Sequence, residues 1–281
     1  MSRRNSGFTL LETLTSISIV ALLLVLLIPQ AGRVRNADGF QVSMANLATI
    51  MKATIQYHAD NAGRSPLRAC AYTNGQPHGG YDTYSVGGKN CSNYWAGQMF
   101  DEPAYFRFLN PYLYQARIPE PMLYVNTGSG STWHFIHGTP TAQQRLGLEI
   151  PVFKSPGDIA SIHQQGIIPN PAISSYDDVG TSYMTNMKWW GSMPGSTWAT
   201  RYEEGVNRIN LAFNGANPNF VFMHDQTAER VAVSFPPYSP IQGEFGKVNA
   251  SMMGFADGRV SYMYVVPGYA NTSGPGYTFL P

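Results

Sequence analysis

Charge is scarce in this 281-residue chain: Asp, Glu, Lys and Arg make up 12% of it, about half the usual share. Formal net charge is only +1. No broad basic field is available to hold nucleic acid, and nucleic acid is not an expected partner. Cysteine is nearly absent, with Cys70 and Cys91 alone, and there is no zinc-ribbon pattern. A phosphate-binding glycine loop, a dinucleotide fingerprint and a Gly-x-Ser-x-Gly nucleophile elbow are also missing. No catalytic constellation emerges, and the chain reads as a non-enzyme. Apolar residues, 43% of the chain, recur along its whole length and argue against long disordered tails.

Glycine (28), proline (20) and tyrosine (17) are plentiful. Together with the low charge they describe an irregular, loop-rich, aromatic-packed domain outside the cytoplasm. In an oxidising compartment Cys70 and Cys91 would close a short loop, stabilising by roughly 3 kcal/mol. The alternative is two free buried thiols.

One long apolar run is present. After MSRRNSG, with Arg3 and Arg4, residues 8–28 contain a single charge, Glu12. As a helix they measure about 31 Å, the thickness of a bilayer hydrocarbon core. The arginines stay cytoplasmic, so the remainder is delivered to the far side. A secretory signal peptide has a shorter apolar core and a small-x-small cleavage site after it. A plain signal anchor leaves the intramembrane carboxylate unexplained, and such a residue is a functional-site candidate by default.

The string Gly7-Phe8-Thr9-Leu10-Leu11-Glu12, with Pro29 further along, resembles the type IV prepilin processing motif. The resemblance implies that a prepilin peptidase cuts after Gly7 and that Phe8 becomes the N-methylated first residue. It places Glu12 at the family's fifth mature position and Pro29 at its helix-bending proline. Cleavage removes both arginines, taking formal charge from +1 to −1, and exposes an α-amino group. Glu12 is expected to pair with the Phe8 amine of an adjacent subunit and set axial register. Removing one partner of a buried pair costs about 3–5 kcal/mol.

The expected fold is α+β. A long N-terminal helix, transmembrane and then amphipathic, packs on an antiparallel sheet head with long loops, as in pilins. The divisions are a cleaved leader (1–7), a transmembrane assembly helix (8–29), an amphipathic helix (30–63) and an extracytoplasmic head (64–281). Leu47, Ile50, Met51, Thr54, Ile55 and His58 mark the helix face that meets the head. The helix stops at Asn61-Ala62-Gly63. Pro29, Gly32 and Gly39 either bend or locally unwind it, or fix a kink.

Beyond residue 66 a short helix is expected around 102–113. Strands are expected at 122–125, 150–155, 219–224, 230–235, 251–255 and 259–266, the last two joined by the turn Asp257-Gly258. Phe153-Lys154-Ser155-Pro156-Gly157-Asp158, Thr181-Ser182-Tyr183 and the Asp257-Gly258 hairpin resemble segments of a large-headed prepilin family. That family ends in a His-x9-Asp-Gly motif, and Lys247 stands here in place of the histidine.

Other chemistry is weaker. His134 and His137 lack a carboxylate at metal-protease spacing, and His224-Asp225 at a strand end reads as turn chemistry. Asp177 and Asp178 are calcium candidates, with a solvated turn as the bland reading. Trp189-Trp190 is either a ligand platform or loop packing. The functional expectation is a structural subunit of a type IV pilus or a type II secretion pseudopilus. It self-assembles into a helical filament from the inner membrane, reaching the periplasm or cell surface. Its partners are prepilin peptidase, minor pilins and an inner-membrane platform with its ATPase. The alternative is a membrane-tethered glycan- or protein-binding module that uses the leader for display.

Overall fold

The computed structural model describes residues 10–67, 69–71, 77–81, 84, 86–96, 100–120, 140–164, 168–268 and 271–281; within these, only the backbone course is described at 10–13, 22–36, 69–71 and 77–81. The fold is α+β, with a long N-terminal helix packed on a four-stranded antiparallel sheet.

Helix α1 (Leu10–Asp60) is assigned as one continuous element through Pro29, Gly32 and Gly39. It ends where Ala62 (φ 54°) and Gly63 (φ 75°) turn into the left-handed region, the backbone that stops a helix. Its C-terminal half buries a stripe of Ser43, Leu47, Ile50, Met51, Thr54 and His58, positions three and four apart on one face. Ile55, expected on this face, lies at its margin and is 38% exposed.

The sheet runs β3 (Tyr183–Thr185), β4 (Val221–Asp225), β5 (Ala250–Phe255) and β6 (Val260–Tyr264), in that spatial order. Two ribbons complete the strands: β1 (Ala69–Ala71) with β2 (Pro77–Tyr81), and β7 (Ser273–Gly274) with β8 (Tyr277–Thr278). Strands β5 and β6 form the expected hairpin. Gly258 takes φ 86° in the turn, and Asp257 Oδ1 accepts from the Arg259 N–H at 2.9 Å. Gly254 of β5 is required by α1: a Cβ there would meet Met51 Cγ at 2.6 Å and Sδ at 2.7 Å. Leu47, Ile50 and Met51 thereby share a core with Phe153, Tyr176, Tyr183, Trp189, Phe220 and Phe222.

Two expected strands are something else. Residues 150–155 hold a 3-10 turn, Pro151–Phe153, because Pro151 and Pro156 cannot donate to a ladder. Residues 230–232 are the last turn of helix α6 (Gln226–Ala232), and 233–235 follow it; its N-cap Asp225 accepts from the Thr227 N–H at 2.8 Å. Apolar residues buried on several sides mimic a strand there. The expected helix near 102–113 appears as a 3-10 turn (Ala104–Phe106) and a short α2 (Asn110–Leu113). Helix α3 (Ala142–Arg145) and helix α4 (Ser175–Val179) are equally short. A longer helix, α5 (Trp198–Leu211), was not anticipated; the reciprocal Thr197/Thr200 capping box starts it. The 122–125 strand candidate and the His134/His137 pair lie outside the described residues.

Much of the head is irregular, and buried polar side chains satisfy its backbone. The Arg107 guanidinium, 1% exposed, donates to the carbonyls of Tyr84, Gly87, Glu102 and Val179. Asn110 bonds both faces of Gly88 and the Ala104 carbonyl. Buried carbonyls left without donors cost about 1–3 kcal/mol each.

Substituting Gly254→Val forces Met51 off β5 and should cost about 1–3 kcal/mol of stability without changing the fold. Equilibrium denaturation of the full chain, followed by far-UV circular dichroism, measures it.

Candidate functional site

Two regions bear on function: the N-terminal segment and the seam where α1 enters the head. Gly7 and Phe8 lie outside the described residues, and Glu12 and Pro29 are described only as backbone of α1. The next stretch is informative. Leu14, Ile17, Ile19 and Val20 are 55–62% exposed, whereas Leu47, Ile50 and Met51 are 0% exposed. The head therefore covers one face of α1 over residues 43–58 and leaves the apolar side chains of residues 14–20 bare. Among the described residues no helix is long and apolar enough to cross a membrane; the run 8–28 falls only partly within them.

At the seam, hydrogen bonds tie α1 to the head. Ser43 Oγ and Ser155 Oγ are 2.8 Å apart, and Ser155 Oγ bonds Glu244 Oε2 at 2.6 Å. Asn46 Nδ2 donates to the Lys154 carbonyl at 2.9 Å, and the Tyr183 hydroxyl donates to the Ser43 carbonyl at 3.1 Å. Gly39 lets α1 approach this loop, since a Cβ there would sit 3.3 Å from Pro156 Cβ. Just outside, the rings of Phe40, Phe245 and Tyr262 meet edge to face. Ser155 thus carries a hydroxyl link between three segments, a role invisible in the local sequence. Lys247 lies on the surface with Nζ 5.7 Å from the Tyr262 ring centre.

Cys91 is a free thiol, so the expected disulfide with Cys70 is not formed. The reason is local: Cys91 Sγ is held by Asp101 Oδ1 at 3.2 Å and Arg145 Nη1 at 3.1 Å, inside a buried Arg145–Asp101 ion pair. Burial, and then the Asp101 carboxylate, push the thiol far above its ordinary pKa. The Cys70 side chain lies outside the described residues.

Asp177 and Asp178 do not form a calcium cage. Consecutive helix residues point about 100° apart, and each carboxylate is already satisfied. Asp177 accepts from Lys89 Nζ and Ser174 Oγ, both at 2.7 Å. Burial raises its pKa, but the Lys89 bond and ion pair outweigh that and hold it below the usual value. Asp178 accepts from Trp95 Nε1 at 2.8 Å and from Ser161 and Gln164 at 2.6 Å. Among the described residues no group of three or more His, Cys, Asp or Glu side chains could hold a metal. Trp189 is fully buried, donating to the Asn186 carbonyl at 2.7 Å, while Trp190 is half-buried. Trp189 is therefore core packing and not a platform.

Asp225 is turn chemistry, as expected: it caps α6 and also accepts from the Ser251 hydroxyl and the Met252 N–H. His224 beside it is fully enclosed, with Nδ1 2.8 Å from the Asp225 carbonyl. Burial lowers its pKa to about 4, partly opposed by that carbonyl.

With this geometry in hand, the comparisons are brief. Residues 2–28 match the family described as the prokaryotic N-terminal methylation motif. No match was found among curated proteins or among solved structures. The motif implies prepilin peptidase processing, a pilin- or pseudopilin-like protein, and an N-terminal membrane anchor with a domain outside the cytoplasm. The match covers the leader and apolar run, so it bears on processing and leaves the head to its own geometry.

Two measurements check these assignments. Denatured without reductant and alkylated, the protein should carry a label on Cys91, while the native protein should leave it unlabelled; intact and peptide mass spectrometry read both. An unfolded histidine titrates near 6.5, so the neutrality of His224 contributes stability above that pH, lost as pH falls toward about 4. Between pH 7 and pH 4 wild type should therefore lose about 3 kcal/mol relative to His224→Gln in urea unfolding.

Proposed function

We propose that this chain is a structural subunit of a type IV pilus or a type II secretion pseudopilus. The observation that carries the reading is the pairing of a methylation motif at residues 2–28 with a helix whose apolar side chains at Leu14, Ile17, Ile19 and Val20 the head leaves bare. A long helix with exposed Leu14, Ile17, Ile19 and Val20 needs cover. Lipid supplies it before assembly, and the helices of other copies supply it in a filament.

In this reading prepilin peptidase cuts between Gly7 and Phe8, and the new Phe8 amine is methylated. Glu12 remains the one carboxylate in the run 8–28. Its charge is neutralised by the Phe8 amine of a neighbouring copy, which fixes axial register. Pro29 lacks the N–H that would continue the helix ladder, and its surroundings absorb any bend that packing demands. The head, residues 64–281, faces outward. Minor pilins cap or initiate the filament, and an inner-membrane platform with its ATPase drives addition of subunits. The subunit performs no catalysis of its own.

The test is Glu12→Val in the full chain. Membrane insertion should be normal, because the substitution makes the span more apolar. Negative-stain imaging of sheared cell surfaces, with antibody to the head, should show labelled filaments for wild type and none for the variant. Normal filaments from Glu12→Val would remove the register role, and membrane-bound monomer alone from wild type would remove the filament reading.

A further inference from the structure

We propose that the Ser43–Ser155–Glu244 chain is a proton-dependent latch that holds α1 against the head and opens when Glu244 crosses the neighbouring cavity to Arg230. The closed state is the one described: Glu244 Oε2 lies 2.6 Å from Ser155 Oγ, which lies 2.8 Å from Ser43 Oγ on α1. Glu244 Oε1 is buried and has no hydrogen-bond partner among the described residues. An ionised carboxylate with one bare buried oxygen is costly, and a neutral one much less so.

The neighbouring acids explain why Glu244 is the group that titrates. Asp158 accepts four hydrogen bonds, from the Ser175 and Tyr176 N–H groups, Ser182 Oγ and Gln226 Nε2. Asp225 accepts three. Glu244 accepts one. Donors stabilise the anion, so Asp158 and Asp225 keep their charge longer and Glu244 yields first. Burial, and then the Asp225 and Asp158 carboxylates, push Glu244 well above the usual carboxylate range. The other titratable groups facing it are Tyr183 of β3 and Tyr262 of β6, both raised and so neutral. Lys247, on the same loop, is turned to the outer side over Tyr262.

The open state has a ready acceptor. Glu244, Gly157, Gln226, Arg230 and Gln242 line one cavity of about 380 Å³. Arg230 is half-buried there and makes no hydrogen bond or ion pair among the described residues; burial alone perturbs it, lowering its pKa. An ionised Glu244 therefore gains a guanidinium partner by leaving Ser155, and the pairing removes two unsatisfied charges together. Loop 241–248 moves with it. That loop also carries Phe245, which packs on Phe40 of α1 with ring centres 5.5 Å apart. Both ties between this loop and α1 are then lost, and residues 37–43 of α1 loosen from the head. The closed state binds one more proton than the open state, so rising pH opens the latch.

Hydrogen exchange of the full chain in detergent, read as protection factors across pH 5–9, tests it. Protection of residues 37–43 and 241–248 should be constant at low pH. Above a midpoint it should fall about tenfold per pH unit, as a one-proton linkage requires. In Glu244→Gln, a neutral near-isostere that keeps the Ser155 contact, protection should stay flat. In Arg230→Gln, which removes the acceptor, the midpoint should move to higher pH. Wild-type protection without a pH step, a Glu244→Gln profile matching wild type, or an unmoved midpoint in Arg230→Gln would overturn the latch. Parallel loss of protection in β4 and β5 would mark global unfolding and would overturn it too.

Discussion

The stripe Ser43, Leu47, Ile50, Met51, Thr54 and His58 on α1 must be buried, and the head is arranged to bury it. Strand β5 gives up a side chain at Gly254 so that Met51 can lie against its backbone. The hairpin turn gives up another at Gly258, where a Cβ would sit 2.8 Å from Ile55 Cδ1. The 155–158 loop meets Gly39 and Ser43. Even the far end is tied down: the His58 and Phe213 rings lie 5.2 Å apart, and Asn210 accepts from the Ser65 N–H at 2.8 Å. Without α1 the core would lose one wall. Leu47, Ile50 and Met51 of the helix therefore share one core with the head.

A second constraint follows from how little regular structure surrounds that core. Long loops bring backbone groups into the interior, and buried backbone must be paired. Here the pairing comes from few, well-placed polar side chains. Arg107 serves carbonyls from four residues, and Asn186 holds the carbonyls of Val221 and Phe279 together. Lys188 donates to three more, from Ala232, Gly268 and Asn271. Some of the sparse charge of the sequence is thus spent on internal wiring, with Asp101, Arg107, Arg145, Asp158, Asp178 and Asp225 all buried. Such buried polar groups are worth much when complete and cost much when one is removed.

How far the sequence revealed this depended on the range of the interactions. The leader, the α1 face, its stop at Ala62-Gly63 and the Asp257-Gly258 hairpin are local patterns, and all but the leader could be compared with the structure and agree with it, Ile55 of the α1 face excepted. Helix α6 was misread because Val231, Val233 and Phe235 look like a strand when the capping role of Asp225 goes unnoticed. Helix α5 was missed although its Thr197-x-x-Thr200 start was visible. The seam was not legible at all. Ser43, Ser155 and Glu244 are separated by 112 and 89 residues, and a serine or glutamate in such contexts looks like ordinary surface. Cys91 was assigned a partner from compartment alone, while its real neighbours, Asp101 and Arg145, were set by packing.

The central claim is that the first seven residues are removed and the exposed apolar stretch of α1 at residues 14–20 is built to be shared with other copies. Mass spectrometry of the N-terminal peptide, taken from protein purified from its native membrane, addresses it most directly. The expected peptide begins at Phe8 and carries one added methyl group on its α-amine. A chain that retains residues 1–7, or one cut instead beyond residue 28, would contradict the account.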